Sequence, residues 1–275
     1  MMNPRCKVAI LDLYDGTPNM GMKNLKNILK NHPHSFQVEI FDVRQKGEIP
    51  SMDHDIYISS GGPGSPLPEG HAWEKGYYQW LDELMEHNND HPEAPKYAFF
   101  ICHSFQMLCY HLGLGVIEPR PKKSFGIYPV SKTAGGKDFE LFEALGDPFY
   151  VADFRQFQVV DPDINAFRKW NASLLAIEVE DEVQLRFGAL MAIQVGEYIT
   201  STQFHPEADP EGMRDYAQKD EWRNTISQQY GEDIYWEMIK YLNDPEKIEV
   251  TFQQVLPGFL DKSVGSLLNS DVLIS

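Results

Sequence analysis

The chain has 275 residues, 42% of them hydrophobic and 24% charged, with a formal net charge of −17. That balance belongs to a globular protein, long enough for one large α/β domain or two small ones. The acidic excess excludes a basic nucleic-acid groove and an anionic membrane surface as partners.

Three scattered cysteines, Cys6, Cys102 and Cys109, make no disulfide framework and predict a reducing, cytoplasmic setting. No run approaches the ~18 apolar residues of a spanning helix. Met1 to Lys7 leads straight into a strand-like segment, with no cleavable signal peptide. Val8 to Tyr14 reads as a buried parallel strand, followed by a turn and a helix over Met22 to Leu29. Phe36 to Val43 and Asp55 to Ser59 are the next strands, and the latter ends in Ser60-Gly61-Gly62-Pro63-Gly64-Ser65-Pro66. Trp73, Tyr77, Trp80, Leu81 and Leu84 share one helical face, a core-facing stripe. Tyr97 to Ile101 is a strand that turns directly into a helix over Ser104 to Leu112. Strands alternating with helices predict a mostly parallel sheet covered on both faces.

After Lys122 the texture changes. Strands are expected at Phe125 to Lys132, Phe149 to Val160, Leu174 to Val179 and Leu190 to Thr202. Hairpin-like turns fall at Gly135-Gly136 and Gly196-Glu197. Helices follow over Pro210 to Tyr230 and Asp233 to Leu242, and the charged run Asp209 to Arg223 reads as a solvated helix face. The tail from Asn243 carries Phe252, Val255, Leu256, Phe259 and Leu260, too apolar for a free linker, so it should dock on the body. A lid or a dimer contact are open readings of the segment after Glu207.

Three spots carry chemistry. In Phe100-Ile101-Cys102-His103-Ser104-Phe105-Gln106 a thiol stands where an apolar strand turns into a helix, and the helix N-terminus favours the anionic, nucleophilic form. In Gln203-Phe204-His205-Pro206-Glu207 an imidazole can take and return a proton, and a carboxylate two residues on can orient it. The Gly61-Gly62-Pro63-Gly64 loop exposes backbone N–H groups that can stabilise an oxyanion. Taken singly, each has a bland alternative: a buried strand-end thiol, a loop histidine, a tight surface turn.

Together, in this order, the three resemble the class I (triad-type) glutamine amidotransferases, over about Lys7 to Glu207. Within that family the stand-alone GMP-synthase-like amidotransferase domains are closest in appearance. The resemblance implies a flavodoxin-like, doubly wound, mostly parallel sheet with helices on both faces. A small antiparallel addition and a helical C-terminal extension complete it. The division expected is residues 1–208 for the amidotransferase-like domain and 209–275 for the extension on the same body. It further implies that Cys102 attacks a glutamine or γ-glutamyl side-chain amide to form a thioester and release ammonia. His205 acts as base and then acid, with Glu207 orienting it. The N–H groups of Gly62 and His103 form the oxyanion hole. Gly64 and Gln106 help hold the substrate, and Gln156 and Phe157 are the nearest match to a segment that grips it in the family. No cofactor and no metal are implied, since the histidines lack ligand spacing.

The sequence departs from the family where Phe100 and Ser104 replace the glycines flanking the nucleophile, and where Arg155-Gln156-Phe157-Gln158 lacks the family's His and Ser. Those departures leave two alternatives open: homoserine O-acyltransferase-like acyl transfer, and an inactive binding or regulatory module of the same fold. A synthase partner subunit that would take up the ammonia, and a homo-oligomer, are both compatible with the sequence.

Overall fold

The structure, a computed structural model, describes residues 6–179, 188–244 and 246–274. The first five residues, read as part of a signal-free N-terminus, lie outside the described residues.

Strand β1 (Cys6–Asp12) is followed by helix α1 (Gly21–Asn31), edge strand β2 (Phe36–Asp42), the short helix α2 (Val43–Lys46), β3 (Ile56–Ser59), α3 (Ala72–Asp90), β4 (Tyr97–Ile101) and α4 (His103–Leu112). Then come β5 (Val116–Lys132), the short α5 (Ala134–Lys137), β6 (Phe149–Val160), α6 (Ile164–Lys169), β7 (Ala172–Glu178), β8 (Leu190–Val195) and β9 (Ile199–Thr202). Four helices close the chain: α7 (Pro210–Ala217), α8 (Asp220–Tyr230), α9 (Glu232–Leu242) and α10 (Ile248–Ile274).

Among the described residues nine strands form one sheet in the order β2-β1-β3-β4-β9-β8-β7-β5-β6. β2, β1, β3, β4 and β9 run parallel, and every pairing from β9 to β6 is antiparallel. The unbroken apolar runs of β1, β3 and β4 follow from burial on both faces. Val8, Ile10, Ile56, Ile58 and Phe99 face a core closed by Leu25 and Leu29 of α1 and by Val255, Leu256, Phe259 and Leu260 of α10. Ala9, Leu11, Tyr57, Ala98 and Phe100 face the opposite core, closed by Tyr77, Trp80 and Leu81 of α3 and Leu108 of α4. Tail residues are therefore part of the core, and Phe259 meets Phe99 edge-on at 5.1 Å. No helix among the described residues is long and apolar enough to cross a membrane.

Several expectations need correction. The antiparallel part is not a small addition, since it supplies four of the nine strands. β5 begins at Val116, nine residues before the expected start, with a register shift against β6 between Pro119 and Ser124. The Pro-Arg-Pro run hid that start, because proline is a poor central-strand residue. Gly135-Gly136 is no hairpin: Thr133 caps the short helix α5 there. A side chain at Gly136 would overlap the carbonyl of Leu175, so that turn needs glycine. Pro210 to Tyr230 is two helices, the first opened by Asp209, whose carboxylate accepts from the N–H groups of Glu211 and Gly212. The charged run Asp209 to Arg223 is not wholly solvated either, since Ala217 is buried.

Candidate active site

The chain runs from β1 outward to β2, then returns to place β3 on the other side of β1. Such a reversal opens a crevice at the carboxyl ends of the strands. Four strand ends meet there: Leu13 and Tyr14 after β1, Ser60 to Gly62 after β3, Cys102 after β4 and Gln203 to Glu207 after β9. The crevice is a cavity of about 570 Å³ whose lining includes Tyr14, Gly62, Cys102, His205 and Glu207.

Cys102 occupies the turn between β4 and α4 with φ 51° and ψ −98°, a conformation that non-glycine residues rarely hold. The surroundings enforce it. Its N–H donates to Thr202 O at 2.8 Å, which ties the turn to β9. Ser104 Oγ accepts from the Ile101 N–H at 2.8 Å and donates to Ser59 O at 2.8 Å, which ties it to β3. Serine thus does bonding work that glycine could not do. Phe100 does not crowd the sulfur, because its ring is buried on the opposite face, 6.1 Å from Trp80.

His205 is held by its N–H to Ala152 O at 2.9 Å. Its Nδ1 lies 2.8 Å from Glu207 Oε1, and its ring is within hydrogen-bonding reach of Cys102. Glu207 is 1% exposed, and its second oxygen is buried with no hydrogen-bond partner. Burial alone would lower the affinity of the imidazole for its proton. The carboxylate of Glu207 and the sulfur of Cys102 outweigh it and hold His205 well above the ordinary histidine range. An imidazole so placed can exchange a proton between sulfur and a leaving atom.

Gly61 and Gly62 bring the β3 loop against this pair. A methyl at Gly61 would come to 3.0 Å from His205 Cε1, and one at Gly62 would overlap the carbonyl oxygen of Leu13. Arg44 clamps the loop, donating from Nη1 to Pro63 O at 2.6 Å and to Leu13 O at 3.3 Å. The His103 N–H is at the first position of α4, where no intrahelical acceptor exists. The His103 side chain points elsewhere: it is buried, and desolvation together with Arg44 pushes it down to about 3, so it is neutral.

The structure brings Cys102, His205, Glu207 and Gly62 to one cavity. Gly64, Gln106, Gln156 and Phe157 do not line it. Gly64 holds φ +87° beside Arg44. Gln106 is buried and donates to Phe157 O at 3.0 Å and to Gln203 Oε1 at 2.9 Å. Gln203 in turn donates to Cys102 Sγ at 3.6 Å. Gln156 is exposed, and Phe157 packs on the α3/α4 core. Arg155 is committed to a buried network, 2.9 Å from Asp153 and 3.2 Å from Glu178. Burial would raise the Glu178 carboxyl, but its fork with Arg120 at 2.7 and 2.9 Å and its pairing with Arg155 hold it below the usual range.

Sequence reading missed Tyr14, Gln203 and Phe154. Tyr14 faces Glu207 and Cys102, and burial followed by these two groups holds its phenol well above the usual tyrosine range. Its position, two residues past the first strand and at the chain reversal, was the available signal. Phe154 lies one residue before the segment singled out, and its ring is 5.7 Å from that of His205. Among the described residues no group of histidine, cysteine and acidic side chains is placed to hold a metal ion.

Residues 17–223 match the model of the family described as glutamine amidotransferase class-I. The chain belongs to the class I glutamine amidotransferase family. It is 27% identical over 200 residues to a homoserine O-acetyltransferase from Desulfitobacterium hafniense (strain DSM 10664 / DCB-2), a match that covers 72% of this chain. It spans 57% of the length of that relative. Among solved structures, a glutamine amidotransferase from Thermotoga maritima matches with a TM-score of 0.66 at 18% identity, over 95% of this chain and 99% of the other. A GMP synthase subunit from Thermoplasma acidophilum matches with a TM-score of 0.53 at 16% identity, over 90% and 98%. At these identities the structures share the fold.

Proposed function

We propose that this amidotransferase-family chain cleaves a carboxamide, a glutamine or γ-glutamyl side chain, by acyl transfer to Cys102. The sulfur attacks the carbonyl carbon while the oxyanion is met by the N–H groups of Gly62 and His103. His205, oriented by Glu207, hands a proton to the leaving nitrogen. Water, deprotonated by His205, then opens the thioester and releases the acid. The observation that carries this reading is the placement of Cys102 at a positive-φ turn, within reach of an imidazole whose far nitrogen is 2.8 Å from a buried carboxylate. Gln106 and Gln203 act as positioning residues that hold the sulfur, through the 2.9 and 3.6 Å bonds. The 209–275 segment is proposed as an extension that walls the site. Where the amide is unsubstituted, the ammonia released would pass to a synthase partner. The test is ammonia release from L-glutamine by the wild type beside Cys102→Ala, with intact-mass detection of an acyl adduct. A rate equal in both proteins would remove Cys102 from the reaction.

A second reading has its own support. The curated relative at 27% identity is a homoserine O-acetyltransferase, and like the nucleophile segment expected of such enzymes this one lacks a leading glycine. Acetyl-CoA with L-homoserine, assayed for free thiol in parallel with glutamine, separates the two.

A further inference from the structure

The cavity beside Cys102 is rich in apolar side chains. Its lining includes the apolar Phe125, Phe154, Trp222 and Ile226 as well as polar groups on Thr17, Asn19 and Asn24. Among the described residues that line it there is no lysine or arginine, and its single carboxylate, Glu207, is bound to His205. A charged group set against these apolar residues would lose water without gaining partners, so that part of the cavity fits an uncharged, apolar group. At about 570 Å³ the space falls within the ~300–1,000 Å³ of pockets that enclose drug-sized ligands.

The apolar surface also has a direction. From the His205 ring the Phe154 ring is 5.7 Å away, Phe125 meets Phe154 edge-on at 5.0 Å, and Tyr230 stacks on Phe125 at 4.3 Å. This aromatic run leads from the imidazole toward α8. In the acyl-transfer reading above, the imidazole is the group that protonates the departing nitrogen, so the departing group lies along the run. Met213 of α7, Trp222 and Ile226 of α8 and Met238 of α9 close the far side.

We infer that the substrate is an N-substituted amide whose leaving group is an aromatic or branched apolar amine rather than ammonia, seated between Phe154, Phe125 and the α7–α9 wall. This rests on the Cys102–His205–Glu207 reading. The sulfur of Cys102 bonds to the carbonyl carbon as the C–N bond breaks. The proton held by His205 goes to the nitrogen, and the free amine leaves into the apolar space. Water then supplies hydroxide to the acyl carbon, and its proton returns through His205 to the sulfur. The products are one amine, one carboxylic acid and the starting thiol.

The test compares γ-L-glutamyl-p-nitroanilide with L-glutamine in the wild type, Phe125→Ala and Ile226→Asn. The expected result is a kcat/KM at least tenfold higher for the anilide. In either variant the anilide-to-glutamine ratio should drop about tenfold, mainly through KM. A wild type that prefers glutamine, or a ratio unchanged in both folded variants, overturns the inference while leaving Cys102 chemistry intact. If neither amide is turned over and Cys102 forms no adduct, the underlying reading fails, and calorimetry on Cys102→Ala decides the cavity. Anilide binding that weakens at least fivefold in Cys102→Ala/Phe125→Ala sustains an apolar amine site, whereas absent or unweakened binding overturns it.

Discussion

Glu207→Gln isolates the charge that tunes His205. The amide has nearly the shape of the carboxylate, and its oxygen can still accept from Nδ1 at the 2.8 Å position, so the change removes charge more than contact. The site is buried, with Glu207 1% exposed, so water does not replace what is lost. A hydrogen bond to a charged group contributes about 1.5–3 kcal/mol. A carboxylate ~4 Å from an imidazolium contributes ~4 kcal/mol at an effective dielectric of ~20. The expected loss of about 2–4 kcal/mol lowers kcat/KM by ~30- to ~1,000-fold. The pH profile should shift as well. In the proposed reaction the imidazolium donates to the leaving nitrogen, so the alkaline limb of kcat/KM should report loss of the His205 proton. In the wild type that limb lies above the ordinary histidine value, because Glu207 and Cys102 outweigh burial. In the variant burial has less opposition, and the limb moves to lower pH. Stability follows the same sign. A raised folded value favours the fold below the ordinary histidine value of ~6.5 and loses that contribution as pH rises through it. The melting temperature of the wild type should therefore fall with pH above ~6.5 more steeply than that of the variant. A kcat/KM within threefold of wild type, with an unmoved alkaline limb, would refute the assignment of Glu207 as the tuning group.

Other perturbations probe the scaffold around the sulfur. Gly62→Ala forces its methyl onto the Leu13 carbonyl, so the loop must shift. It should cost about 1–3 kcal/mol in a denaturant titration and at least tenfold in kcat. Phe100→Ala empties a fully buried site on the face away from Cys102 and should cost about 3–5 kcal/mol of stability, with KM unchanged in the folded fraction. His103→Phe should flatten acid unfolding. His103 is held neutral down to about 3, so the unfolded chain binds its proton first, and the wild type loses stability as pH falls from ~6.5 toward 3, by up to ~5 kcal/mol. Chemical denaturation at several pH values across that window gives the slope, and equal slopes in the two proteins would contradict it.

The parallel half of the sheet was readable because its signals are local. Val8 to Leu11, Ile56 to Ile58 and Tyr97 to Ile101 are short unbroken apolar runs, and their strands are buried on both faces. The strand-to-helix turn at Cys102 was readable for the same reason: the apolar run stops at Ile101 and a helical pattern starts at once. The antiparallel half carried weaker signals. β5 holds Pro119 and Pro121 within its first six residues and irregular pairing after them, so its first third resembles a loop. Its partners come from β6 and β7, tens of residues downstream, and no local pattern encodes such a pairing.

The site divides along the same line. Cys102, His205 and Glu207 belong to short motifs whose residue types imply roles, and the chain brings them together in space because β4 and β9 are neighbours. Substrate contacts carry no such signature. Gln156 and Phe157 were singled out by position in a segment, yet it is Phe154, two residues before Gln156 on the same face of β6, that lines the cavity, while Gln156 is exposed. The apolar wall is the least legible part of all. Met213, Trp222, Ile226 and Met238 sit in charged, amphipathic helices that resemble any solvated surface element. Only the packing of α7–α9 over the mouth of the sheet shows that the apolar sides of these helices face Cys102. Short motifs therefore point to the proposed bond-breaking groups of this family member, while the proposed substrate-binding wall lies in helices whose role is written in packing.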